Sequence, residues 1–305
     1  MPNLLKRKIR LVTHDGSFHA DEVFATACLK IYYKNIKNRR VKVIRTRNSK
    51  IIENADIVYD VGNIYDPKKK RFDHHQKDGA GKRGNGVMYS SFGLIWKHFG
   101  KELTQNDEIH EEIDQKLVQQ ICAADTAHND FVIEGTGWKA WTFDGIIKNF
   151  HPDRSLGEKE NNKVFDNMVD FFTDFLQNYI KNSKKKYAEY KIVESAYKNT
   201  EDKRIIVLEK GMSWKKPLVE APEPLYVIYP TFDQDNFHIR AIPVSDDSVN
   251  NRKPFPKSWC GLRVEELQKE SKIKGSIFVH NTGYLGVASN LESAILMAKK
   301  SIEIQ

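Results

Sequence analysis

The sequence predicts an α/β protein: a mostly parallel sheet flanked by helices, then a smaller C-terminal α/β domain reached through a helical connection. Three observations carry this. Short apolar runs alternate with helix-period stretches through the first half, the pattern of crossover connections. One helical periodicity fills the middle. The last third returns to short strands broken by Gly and Pro turns. The boundaries read as 1–157 for the first domain, 158–203 for the connection and 204–305 for the second domain.

Residues 9–14 read as a short buried strand, and 21–37 as a helix with Val23, Phe24, Ala27, Cys28 and Ile31 turned inward. Stretches 41–47 and 56–62 are further strands, with a short helix at 51–55 between them. A helix follows over 90–99, stopped by Gly100, and another near 108–122 carries Ile113, Leu117 and Ile121. From 158 to about 200, Val164, Phe165, Met168, Phe172, Phe175, Leu176 and Tyr179 recur at three- and four-residue steps. The Lys184-Lys185-Lys186 run within it is either a solvated face or a break between two helices. Beyond it, 204–209, 225–230, 237–244 and 276–280 read as strands. A final helix begins near Ser289, with Ser289 and Glu292 spaced as a capping box.

Composition bounds the function classes. The chain has 305 residues, 40% hydrophobic and 30% charged, enough for one large globular domain or two ordinary ones. No apolar window approaches the roughly 18 to 20 residues of a membrane helix, which argues against a membrane partner. The N-terminus runs almost at once into a strand, so no secretory signal is expected. Cys28, Cys122 and Cys260 are scattered and odd in number, which suits reduced thiols in a cytoplasmic protein and argues against a disulfide scaffold or Cys-rich zinc module. The net charge of +8 favours polyanionic partners, but it is spread out and decides little alone.

Chemistry concentrates in four stretches. Thr13-His14-Asp15-Gly16-Ser17-Phe18-His19-Ala20-Asp21-Glu22 follows a strand and opens a helix, where ligands bind in open parallel sheets. Its imidazoles and carboxylate suit a divalent cation; equally, Asp21 alone would merely start a helix. Asp60 ends an apolar strand just before Gly62, a metal-ligand position or ordinary turn chemistry. In Phe72-Asp73-His74-His75-Gln76, adjacent histidines on an extended segment point to opposite sides, so one can ligate while the other reaches a substrate phosphate. Asp125, after Ala123-Ala124, sits where a helix ends, which is unfavourable for the helix dipole and hints at another use. The donor set is imidazole and carboxylate without thiolate. It suits manganese, magnesium, iron or zinc, and several carboxylates suit a two-metal cluster. No Walker loop, Gly-x-Ser-x-Gly elbow or zincin pair competes. Trp138, Trp141, Phe143, Phe150 and Trp214 read as core rings, and His98, His110, His128, His151 and His238 as ordinary histidines.

These stretches, together with Tyr65-Asp66-Pro67, Ser90 through Gly100, Trp259 through Leu262 and Gly275 through Gly286, resemble the melanocyte-proliferating-gene (Myg) family of the DHH phosphoesterase superfamily. The likeness runs in order over nearly the whole chain. It implies a DHH domain, a helical connection and a C-terminal domain closing over the cleft. It also implies manganese-type phosphodiester hydrolysis, described for eukaryotic members as 3′-to-5′ RNA exonuclease activity. Carried over by position, His14, His19, Asp21, Asp60, His74 and Asp125 match metal ligands, with Asp60 bridging two ions. His75 matches the histidine directed at the scissile phosphate. The C-terminal motif places His280, Gly283 and Gly286 at the substrate. The chain departs from the family pattern at Thr126-Ala127, where Asn-Gly is usual, at Cys122, where an acid is usual, and at Val287, usually glycine.

The expected activity is therefore a metal-dependent phosphodiesterase, a 3′-to-5′ exoribonuclease on RNA or short oligonucleotides acting through a water activated by two Mn2+ ions (Mg2+ as the alternative). Asp60 and His75 are its catalytic pair. Arg45, Arg47, 68–71, Lys82 and Arg83 supply basic residues near the motifs, favouring a chain of phosphates over one. The competing readings are a DHH-type pyrophosphatase or nucleotide phosphoesterase, and a catalytically weak nucleic-acid-binding protein. A homo-oligomer is compatible with either.

Overall fold

The computed structural model describes residues 7–127, 132–133 and 135–304. The chain divides into two compact units, 1–184 and 185–305.

The first unit is built on a five-stranded sheet. In chain order its elements are β1 (Ile9–Thr13), α1 (Ala20–Asn35), β2 (Val41–Arg45), α2 (Ser49–Glu53), β3 (Ile57–Tyr59), β4 (Tyr65–Asp66), β5 (Arg71–Phe72), α3 (Ser91–Thr104), α4 (Asp107–Ile113), α5 (Gln119–Ala127), α6 (Phe143–Lys148) and the start of α7 (Gly157–Asn199). The strand order is β2-β1-β3-β5-β4. All neighbours are parallel except the β4–β5 edge pair, with Leu11 opposite Val43 and Ile57. The chain leaves β1 to one side for β2 and crosses to the other for β3. The C-terminal ends of β1 and β3 therefore flank the topological switch point, where open α/β sheets bind ligands.

Burial follows the residue pattern. Leu11, Val12, Ile57 and Tyr59 are fully covered. Helix α1 is unusual: every residue from Ala20 to Leu29 is buried, Asp21 and Glu22 included. One side of α1 packs on α3, and Phe24 lies against Phe92, Phe143, Phe172 and Phe175 with ring centroids 4.6 to 6.1 Å apart. Helix α3 does not stop at Gly100. It continues to Thr104, and a Cβ at Gly100 would lie 2.7 Å from the Trp96 ring and 2.9 Å from His110. The glycine serves close packing here and not termination, and the Trp96 and His110 rings stack in parallel. The expected 108–122 helix is two helices, α4 and α5, joined by a π-helical turn at Asp114–Val118, whose Asp114 holds Arg83 in a bidentate ion pair at 2.7 and 2.8 Å. The lysine run does not break the long helix; α7 is continuous.

The second unit contains the end of α7, then β6 (Ile205–Val207), α8 (Lys215–Glu220), β7 (Tyr226–Pro230), β8 (Phe237–Ala241), α9 (Val264–Ser271), β9 (Ser276–Val279), β10 (Leu285–Ala288) and α10 (Leu291–Glu303). Its sheet, ordered β6-β7-β8-β10-β9, is mixed: only β6 and β7 run parallel. Phe255, Trp259, Leu267 and Met297 pack with Ile228 and Ile239 in one apolar cluster, and Val193, Trp214 and Leu218 with Ile206 and Val227 in another. The last helix is capped by Asn290, which accepts from the Ser293 amide at 2.8 Å, so the Ser289–Glu292 box is not what starts it. No helix among the described residues is long and apolar enough to cross a membrane.

Candidate metal centre

Most functional side chains of the first unit line one cleft, from loops or helix ends at the carboxyl edge of the sheet, while the fully buried Asp21 and Glu22 meet them through His74 and His14. His14 leaves β1, and Asp60 leaves β3. Asp73, His74 and His75 leave β5, whereas His19, Asp21 and Glu22 open α1. Asp125 comes from the last turn of α5. The cleft holds about 1460 Å³ and is lined by His14, His19, Asp60, His74, His75 and Asp125 among others.

Local backbone aims these groups. Asp60 is held at φ +56°, a left-handed conformation that Asp tolerates better than most residues and that functional sites often store. Its two carboxylate oxygens face different imidazoles: Oδ2 lies 3.2 Å from His14 Nε2, and Oδ1 lies 3.3 Å from His74 Nε2. Asp21 accepts from the Ser91 and Phe92 amides at 2.9 and 2.7 Å, so it also ties down the N-terminus of α3. Asp73 accepts from the His75 amide at 3.1 Å and the Asn63 amide at 2.6 Å, and its Oδ1 lies 2.7 Å from His75 Nδ1. That contact sets the direction of the half-exposed His75 ring.

The ligand-type atoms form three groups, each within 4.8 Å, the last two sharing His74: His14, His19 and Glu22; Asp60, His74 and His75; and Asp21, His74 and Asp125. His74 Nε2 lies 3.1 Å from Asp125 Oδ2 and 3.8 Å from Asp21 Oδ2, and His14 Nε2 lies 2.9 Å from Glu22 Oε1. Ligands about 2.1 Å from a shared cation stand roughly 3 to 4 Å from each other. Three of these atoms, Glu22 Oε1, His74 Nε2 and Asp125 Oδ2, are buried and have no hydrogen-bond partner outside the cluster. Buried acids and imidazoles that can satisfy one another only by sharing protons are costly, and a cation that takes their lone pairs offsets that cost. By donor type, spacing and lack of other partners, the residues fit divalent ions.

Without ions the acids are balanced by protons. Burial works against a charged His14, but the Asp60 and Glu22 carboxylates outweigh it and push the pKa up to about 11. For His74, burial is outweighed by Asp125, Asp60 and Asp21, again reaching about 11. Burial would raise Asp60, but the two imidazoles hold it below the usual carboxylate range. Asp21 is pushed up by burial first and by Asp125 and Asp60 second, and Glu22 is pushed up by burial. A sign follows for stability. The raised histidines stabilise the ion-free fold fully below their ordinary value of 6.5, and that contribution is lost as pH climbs toward 11. Asp21 and Glu22 act in the same direction, since their burial becomes more costly once the unfolded carboxyls ionise. The melting temperature of chelated protein should fall between about pH 6.5 and 10. Mn2+ should raise it more at about pH 8.5 than at 6.5, because cation and proton compete for the same atoms. Thermal unfolding with EDTA or Mn2+ tests this, and a pH-independent melting temperature for the chelated chain would contradict it.

All six expected ligands and His75 thus meet in one place. Glu22 joins them although the sequence reading gave it no role; as the third residue of α1, within its first turn, it has the place of an ordinary dipole-complementing acid. Asp144, on α6, also lines the cleft and accepts from the Ala20 amide at 2.6 Å. Cys122, at the usually acidic position, is buried, receives the Ser90 hydroxyl at 3.2 Å and fills the space beside Gly93. Three of the expected basic residues are committed elsewhere. Arg45 bonds Asn162 and the Gly16 carbonyl, Arg71 bonds backbone carbonyls and Arg83 pairs with Asp114, leaving Arg47 as the one that lines the cleft. Their use as a phosphate track is therefore withdrawn for Arg45, Arg71 and Arg83.

In the second unit, His280 follows β9 and contacts Thr282 Oγ1 at 3.0 Å, and Gly283 turns at φ +68°. Gly286 lies in β10, where a Cβ would meet the Phe255 ring at 2.7 Å, a packing reason for glycine. Val287 pairs with His238 and Phe278 across the strands. The expected core rings divide. Trp214 is buried, but Trp138 and Trp141 are 70% and 76% exposed and Phe150 is also exposed. His98 contacts the Tyr65 hydroxyl and His151 the Phe18 carbonyl, as ordinary histidines do, and His128 lies outside the described residues.

Comparison with known proteins agrees over nearly the full length. A family model described as MYG1_exonuc, "Uncharacterised protein family (UPF0160)", matches residues 10–302. The chain is similar to a MYG1 protein of Chlamydia pneumoniae, 33% identical over 287 residues that cover 92% of each chain. It is similar to the MYG1 protein of Dictyostelium discoideum, 30% identical and covering 96% of each. The human MYG1 exonuclease is 28% identical over 96% of this chain and 85% of the relative. With its model spanning the cleft, the helices and the C-terminal sheet alike, the family to which this chain belongs is MYG1.

Proposed function

We propose that the protein is a metal-dependent phosphodiesterase of the DHH type that removes nucleotides from the 3′ end of RNA or short oligonucleotides in the cytoplasm. The observation that carries this reading is Asp60, whose two oxygens face His14 on one side and His74 on the other, as a carboxylate shared by two cation sites would. His14, His19 and Glu22 would hold one ion, and Asp21, His74 and Asp125 the other. Manganese fits this donor set, and magnesium is the alternative. When bound, such a pair supplies Lewis acidity and an activated water for in-line attack on phosphorus. The exonuclease name of the human relative supports a nucleic-acid substrate.

The chain's own residues supply the rest. Asp73 fixes the His75 ring at the mouth of the cleft, where a donor N–H can meet charge developing on a phosphoryl oxygen. The Asp73 hydrogen bond outweighs burial and holds the His75 pKa above its ordinary value, which favours the donor form. Arg47 lines the same cleft and can take a neighbouring phosphate. We assign His280, Gly283 and Gly286 to substrate contacts of the second unit. A cleft of about 1460 Å³ is far larger than pyrophosphate needs, which favours the oligonucleotide reading.

A single-stranded RNA labelled at its 5′ end, incubated with Mn2+, tests the proposal. Stepwise shortening from the 3′ end is expected. Hydrolysis of pyrophosphate with intact RNA would favour the second reading, and tight, salt-sensitive binding without cleavage the third.

A further inference from the structure

Next to the ion cleft lies a second cavity of about 340 Å³, at the small end of ligand-binding sites. Its walls are Ile121 and Ala124 from α5 and Trp141, Phe143 and Ile146 from the α6 segment. Ala124 and Asp144 line both this cavity and the ion cleft, so the two spaces share a wall. Ala124 directly precedes Asp125, a member of the ion-binding cluster. Trp141 leans on Gly145, whose Cβ would stand 3.7 Å from the indole, yet the ring is 76% exposed. A large ring left open to water beside an apolar cavity is an unfilled contact surface.

We propose that this cavity is a nucleobase subsite, in which the base of the terminal nucleotide stacks on Trp141 while its phosphate lies in the adjoining ion cleft. The inference rests on the phosphodiesterase reading and adds where the base goes. The volume is enough for one nucleobase. Most of the lining is apolar, as a base face requires, with Gln120 and Thr142 among it and the Asp144 carboxylate at the shared wall. Stacking of a base on an aromatic ring contributes about 1 to 3 kcal/mol and tolerates every base, since each has a π-face. The site would therefore require a base without choosing among them, which suits an enzyme that shortens RNA of any sequence.

Binding without turnover tests this. Titrate the full-length chain with a nucleoside 5′-monophosphate and, separately, with ribose 5-phosphate, both with Mn2+, by calorimetry. The nucleotide should bind roughly 5- to 150-fold more tightly, the factor that stacking supplies. Trp141→Ala should erase that ratio while leaving ribose 5-phosphate binding unchanged, and Trp141→Phe should restore most of it. An undiminished ratio in Trp141→Ala, or equal binding of the two probes to the natural chain, would overturn the subsite. Because no bond is cleaved, a base-dependent ratio that persists in a protein unable to cut RNA would leave the subsite standing and reject only the exonuclease reading.

Discussion

Replacing Asp60 with Asn is expected to abolish phosphodiester hydrolysis while leaving the fold intact. Both carboxylate oxygens are engaged, one toward His14 and one toward His74, so the change touches both halves of the cluster at once. An amide has one acceptor oxygen and no charge, and its NH2 cannot ligate. Losing a partner that only orients a ligand typically costs 10- to 100-fold. Losing a shared ligand should exceed this, with kcat/KM falling by about 10³-fold or more. Asn also tolerates the left-handed backbone at φ +56°, so the fold should hold. Asp60→Ala adds backbone strain of about 1 to 2 kcal/mol and is the poorer probe. The checks are RNA turnover with Mn2+, metal content after dialysis and the far-UV circular dichroism spectrum. Natural turnover by a well-folded Asp60→Asn protein would refute the role of Asp60.

Phe24→Ala should be the most damaging change away from the ions. The ring is fully buried on α1 and meets four other phenylalanines drawn from α3, α6 and α7. Truncating such a side chain costs about 3 to 5 kcal/mol, because neighbours collapse only partly into the void. For a unit of this size each kcal/mol lowers the melting temperature by about 2 to 4 °C, so a drop of about 6 to 20 °C is expected. Phe24→Leu fills most of the space and should lose a smaller fraction. Urea unfolding of both variants measures this, and a loss under about 1 kcal/mol for Phe24→Ala would show that the aromatic cluster is not a keystone of the first unit.

Much of this was legible in the sequence, for reasons that also explain what was not. His14, His19, Asp21, Asp60, His74 and Asp125 drew notice because such donors sit together at strand and helix ends, and the resemblance to the Myg family named them as a set. Glu22 could not be separated from the many glutamates that open helices; only the burial of α1 on all sides shows that it faces the cluster. Asp144 sits on a six-residue helix in a stretch with little periodicity, far in sequence from its partner Ala20. Strands β4 and β5, two residues each, are too short to alternate visibly and exist because β3 offers an edge. Gly100 was read as a stop because glycine disfavours helix, yet here the missing side chain lets Trp96 and His110 close on the backbone. Trp141 was read as core because large rings usually are, and burial alone corrects it.

Asp21 has a consequence for how the protein behaves between rounds of occupancy. Two backbone amides of α3 hold this carboxylate in place. A donor fixed by its own main chain does not have to be ordered by what it binds. A divalent ion arriving there would meet this oxygen pair already aimed, and its departure would leave the start of α3 tied as before.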